Sequence, residues 1–356
     1  VASSSRTDLL RAGLGVLVGT LLLAAVWFQR STIGAALVEM RSLSITVVVV
    51  LLALGVLERV SRADIVRRLL GTTSFGRSLT IHDVGTAASK GVPLGGPLAT
   101  GLRWSIARDA AVSTTTFTSM LVAYGVATTF VTWLLPFGVL VVDITLRPPT
   151  RADLAMLAVC AVVVVGSAMF WAVVLRSERI TTWLVGVLHN VSDRVVRRWP
   201  SLARHTAGHD LGAGLIEVRT SLRGIAGRPI GLLARTALAQ SVGAVILVVA
   251  LRGLGVGDEL GLIEFARVYF VVTLLSSFVP VPGGVGVVEA GLTGALVAAG
   301  VEPSTALAGV LIYRLLTYVV PIALGAVLYA VWRFHVARRR SPVHRRIELR
   351  EPAMIE

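Results

Sequence analysis

Ser277-Phe278-Val279-Pro280-Val281-Pro282-Gly283-Gly284-Val285-Gly286-Val287-Val288-Glu289-Ala290 interrupts an apolar region running from about 262 to 300. Proline has no amide hydrogen to donate, and paired glycines favour backbone conformations that leave the helix. The carbonyls and amides around 280–286 therefore cannot all pair within one helix. In hydrocarbon each unpaired group costs several kcal/mol, so this backbone must be packed in protein or must line a wet cavity.

The surrounding sequence makes hydrocarbon the relevant solvent. Of 356 residues, 55% are hydrophobic and 15% charged, against about 25% charged in ordinary soluble domains. Apolar runs cover 12–28, 42–57, 112–135, 152–175, 230–251 and 304–332, and about 20 such residues span a bilayer core as a helix. A second broken region lies at about 80–111 and contains Pro93, Gly95, Gly96 and Pro97. The chain thus reads as an all-α polytopic membrane protein. It is expected to have about six full spans and two Pro/Gly-broken re-entrant hairpins, the alternative for each hairpin being a kinked, fully spanning helix.

The net charge is +14. The arginines gather between and after the spans, as orientation by the positive-inside rule requires, so no nucleic-acid partner is expected. All basic segments fall on one side if both termini are cytoplasmic, which predicts a multi-pass inner-membrane protein. The insert at 177–228 interleaves arginines with apolar residues at helical spacing. It reads as amphipathic helices on anionic lipid headgroups or, alternatively, as a solvated linker. The tail at 336–356 is basic as well. Cys160 is the sole cysteine, His205 and His209 lack a third ligand, and no GxxxxGK[ST] loop exists. Disulfides, metal and nucleotide cofactors are therefore not expected.

An internal repeat organises the chain. A shift of 189 residues carries Pro93 to Pro282, Gly95 to Gly284 and Tyr124 to Tyr313. With residues 1–135 as one half and 152–335 as the other, the halves run in opposite senses, as in many secondary transporters. Two helix ends meeting near the midplane would present unpaired amides to an anion. Ionisable groups at that depth are candidates for function. Glu289 and Arg314 stand out as a pair, either lining a transport path or bridging two parts of the fold. In the first half Lys90 and Arg103 enter or flank the hairpin, together with His82 and Asp83.

The P-x-P-G-G-x-G-x-x-E run ending at Glu289, followed by Tyr313-Arg314-Leu315-Leu316, resembles the transmembrane region of the lysylphosphatidylglycerol synthase family. That family includes lipid-flipping domains that move aminoacylated phosphatidylglycerol between leaflets. The resemblance implies a membrane lipid or polyprenyl-linked substrate and a transport path through Pro280, Pro282, Gly283, Gly284, Gly286, Glu289, Tyr313 and Arg314, with Lys90, Pro93, Gly95, Gly96 and Arg103 in the first half. In that half the sequence departs from the family pattern, Arg103 being the first charge after Pro93. Lipid translocation without enzymatic activity is the leading expectation. The alternatives are a scaffold that recruits a protein partner through the basic segments and, less favoured because the outer acids are scattered, a membrane transferase.

Overall fold

A computed structural model of the protein describes residues 30–71, 73–92, 95–176, 229–257, 260–279 and 281–339, with single positions at 20, 24 and 27. The span expected at 12–28 lies almost wholly outside the described residues. So do the insert at 177–228, the tail beyond 339, Pro93 and Pro280.

The described residues are all helical: α1 Arg30–Met40, α2 Ile45–Leu70, α3 Phe75–Gly91, α4 Gly95–Asp109, α5 Thr114–Leu146, α6 Arg151–Arg176, α7 Pro229–Gly253, α8 Leu262–Ser276, α9 Val287–Ala298, α10 Pro303–Arg314 and α11 Val320–Arg339. A π-helical turn, Leu315–Val319, joins α10 to α11. Among them, Thr114–Leu146, Arg151–Ala172, Ile230–Gly253 and Pro303–Val336 are long and apolar enough to cross a bilayer. Exposed Val162, Met169 and Ile230 mark surfaces that water would not tolerate in such density.

Two helices outrun their expected ends. The run at 42–57 becomes α2, 26 residues long, because Ile65, Val66 and Leu70 continue its buried face beyond the first arginines. The run at 112–135 becomes α5, 33 residues long. Its Asp143 is not a loop acid: it lies inside the helix, where Arg147 one turn on binds it. Arg267 of α8 also reaches Asp143, at 3.5 Å, and Asp153 of α6, at 3.9 Å. Two of the outer acids that looked scattered, Asp143 and Asp153, are therefore laced together by Arg147 and Arg267, while Asp258 and Glu259 lie outside the described residues.

Between these long helices sit two short pairs. α3 and α4, of 17 and 15 residues, pack on each other across the break at 92–94. α8 and α9, of 15 and 12 residues, do so across 277–286. The contact plan repeats. α2 and α7 touch each other, α5 packs on α8 while α11 packs on α3, and α2–α5 contact is matched by α7–α10 contact. The junction after each pair obeys the 189-residue shift found in the sequence: α4 stops at Asp109 and α9 at Ala298, while α5 starts at Thr114 and α10 at Pro303.

Candidate functional site

The tip of the second short pair is built on glycine. Gly283, Gly284 and Gly286 have φ of 61°, 64° and 80°, values that side chains resist. A Cβ at Gly283 would also lie 2.0 Å from the Tyr318 ring. The break frees the Gly283 carbonyl, and Arg314 Nη1 donates to it at 3.1 Å. Arg314 Nε donates to Glu289 Oε1 at 2.8 Å, and its guanidinium stacks 4.1 Å above the Tyr318 ring. Glu289 lies in the first turn of α9, where a negative charge answers the helix dipole. Among the described residues Glu289 Oε2 and Arg314 Nη2 are buried without hydrogen-bond partners.

The two tips meet at the π-helical turn. α3 touches Pro282–Gly284, and the Tyr318 hydroxyl donates to the Lys90 carbonyl at 3.1 Å. Lys90 Nζ donates to the Thr317 carbonyl at 2.8 Å. The reason is local: in an α-helix that carbonyl would pair with residue 321, which is proline and has no amide hydrogen. Gly95 makes the first tip tight, since a Cβ there would come within 2.1 Å of the Ala88 carbonyl oxygen, whereas Gly96 faces open space.

Beside this junction lies a cavity of about 270 Å³, walled by α2, α3, α4, α5 and the α10–α11 helix. Its charged and polar lining includes Glu58, Arg59, Arg62, His82, Asp83, Lys90, Arg103, Tyr124 and Thr317. Arg59 bonds Asp83, and Arg62 bonds Glu58 at 3.0 Å. His82 stands edge-on to Tyr124, with ring centroids 6.5 Å apart. Arg103 crosses Gly85, where a Cβ would fall 1.8 Å from its Nε. From buried His82 and Asp83 the lining runs to exposed Ser89, so the cavity opens near the first tip.

The predicted residues thus divide. Gly283, Glu289 and Arg314 form a clamp at the second tip, Lys90 and Arg103 line the cavity, and Thr317 and Tyr318 connect the two groups. Tyr313 faces the apolar core, its hydroxyl 3.3 Å from that of Tyr269. Glu58, Arg59, Arg62 and Thr317 are cavity residues that the sequence reading passed over. The arginines read as inside-facing flanks, and the signal that places them deeper is the buried apolar spacing of Ile65, Val66 and Leu70 after them. No group of three metal-ligating side chains exists among the described residues.

A helical bundle with bilayer-length apolar helices and a polar, partly charge-paired hollow within it defines a multi-pass membrane protein. The family described as the lysylphosphatidylglycerol synthase TM region matches residues 12–325, and the chain belongs to it. A comparison with curated proteins finds no match.

Proposed function

We propose that this protein moves a lipid between leaflets, passing its polar headgroup through the cavity while the tails stay in the bilayer. One observation carries the reading: a charged cavity of about 270 Å³ lies beside the point where two broken helix pairs meet inside a largely apolar bundle. Burying so many ionisable groups is expensive, and membrane proteins keep such groups mainly for substrates and ions.

In this reading both short pairs are re-entrant hairpins. Helices of 17, 15, 15 and 12 residues rise about 26, 22, 22 and 18 Å, less than the roughly 30 Å of hydrocarbon. The arginine distribution supports cytoplasmic termini in the plasma membrane, with the first hairpin entering from the cytoplasm and the second from outside. The halves then form an inverted repeat, whose interface is the usual place for a substrate site. The experiment is reconstitution into liposomes carrying head-labelled phospholipids and polyprenyl-linked sugars. Leaflet exchange faster than in protein-free vesicles is expected for at least one of them; exchange at the protein-free rate across the panel rejects the proposal.

A further inference from the structure

Counting charges around the cavity exposes an excess. Arg59 is matched by Asp83 and Arg62 by Glu58, which leaves Lys90 and Arg103. Among the described residues neither makes an ion pair. Lys90 spends one of its three donors on the Thr317 carbonyl. Arg103 is held against Gly85 with its guanidinium in the lining. Two cations in a mostly buried hollow carry a desolvation cost that an anionic partner would offset.

The twin half shows that the fold does not require these charges. The 189-residue shift that aligns the ends of α4 and α9 carries His82 to Val271, Asp83 to Val272, Ser89 to Phe278, Lys90 to Val279 and Arg103 to Leu292. Every counterpart is apolar, and Leu292 is fully buried in the core. At these positions the second hairpin is apolar, its own charges Glu264, Arg267 and Glu289 lying elsewhere, while the first carries Asp83, Lys90 and Arg103. They are retained for something other than packing.

We infer that the cavity is an anion site built into one half only, where Lys90 and Arg103 hold the phosphate of a headgroup that carries no balancing amine. That the phosphate belongs to a lipid rests on the translocation reading; that the site takes an anion rests on the charge count alone. The cavity, at about 270 Å³, is below the roughly 300–1,000 Å³ of drug-sized sites, so it admits a headgroup and not a whole lipid. Its opening beside Ser89 lets the headgroup enter while the tails remain outside. A zwitterionic headgroup brings its own cation into an already positive hollow and is disfavoured.

The test measures binding separately from transport. The full chain is placed in phosphatidylcholine nanodiscs doped with phosphatidylglycerol or phosphatidylethanolamine, and retained lipid is titrated by native mass spectrometry. The wild type is expected to prefer phosphatidylglycerol by about tenfold or more, two charge-assisted contacts being at stake. Lys90→Val with Arg103→Leu, the twin's own residues, should abolish the preference. Gly85→Ala keeps every charge but pushes Arg103 aside, and should weaken the preference severalfold even if the double variant fails to fold. Equal affinity for the two lipids in the wild type, or a preference that survives both changes, overturns the inference. If inorganic phosphate binds in a Lys90- and Arg103-dependent way with no lipid preference, the site serves a soluble anion and the lipid assignment falls. Selective lipid binding without leaflet exchange leaves the anion site standing and rejects translocation.

Discussion

Glu289 and Arg314 were legible as a pair because a carboxylate and a guanidinium so deep in apolar sequence have few other ways to be tolerated. The geometry adds what spacing could not give: Arg314 also caps the Gly283 carbonyl and covers Tyr318, so it ties α9, the second tip and the π-helical turn together. Removing one partner of such a pair leaves the other charge buried. Glu289→Gln should therefore cost about 3–5 kcal/mol of stability, read as a lowered midpoint of thermal unfolding in detergent. Glu289→Leu combined with Arg314→Leu should recover part of the loss. A double variant as unstable as the sum of its singles would show that the two side chains act independently. Gly283→Ala addresses the tip itself. Its positive φ and the 2.0 Å approach to Tyr318 should together lower stability by at least about 1–3 kcal/mol and disturb the contact between the tips. Thermal unfolding at the wild-type midpoint would refute that account.

Helix breaks, more than helix cores, decide where the polar groups go. Both proline-glycine interruptions could be read from sequence, because missing amides and left-handed glycines act through local geometry. The π-helical turn could not, since Pro321 signals only that the Thr317 carbonyl loses its amide partner, and its consequences depend on Lys90, more than 200 residues away. The depth of Glu58, Arg59 and Arg62 was hidden for another reason. Arginines after an apolar run fit the positive-inside pattern equally well whether the helix stops or continues inward-facing, and only the buried spacing out to Leu70 separates the two cases. At the start of α10 the local chemistry is plain. Glu302 accepts from the Thr305 amide at 2.9 Å and from the Ser304 hydroxyl. The Ser304 hydroxyl bond, followed by backbone amide bonds, lowers its carboxyl from the usual 4.5 to about 2. A depressed carboxyl contributes stability that is complete above the unfolded-state value and fades as pH falls through the folded one. The wild type should therefore unfold at a higher temperature than Glu302→Gln above about pH 4.5, and the gap should close toward pH 2. A gap that stays constant over that interval would mean the charge is not what caps the helix.

At the scale of the whole molecule, the repeat turns a faint sequence likeness into a geometric claim. Similarity at 92–97 and 281–286 was weak because the two halves have diverged chemically, one hairpin keeping charges where the other is apolar. The shared plan survives in helix ends and contacts, which apolar packing maintains without fixed residue identities. If the halves are inverted in the membrane, equivalent positions must face opposite compartments. Asp109 and Ala298 offer the cleanest pair, since each ends the second helix of its hairpin, each is exposed, and they are related by the 189-residue shift. Native Cys160 is buried and gives little background. Asp109→Cys and Ala298→Cys, made singly, should react with a membrane-impermeant maleimide from opposite sides: Asp109→Cys only in inside-out vesicles and Ala298→Cys only in intact cells. Labelling of both from one side would place both hairpins on the same face and reject the inverted arrangement of the halves.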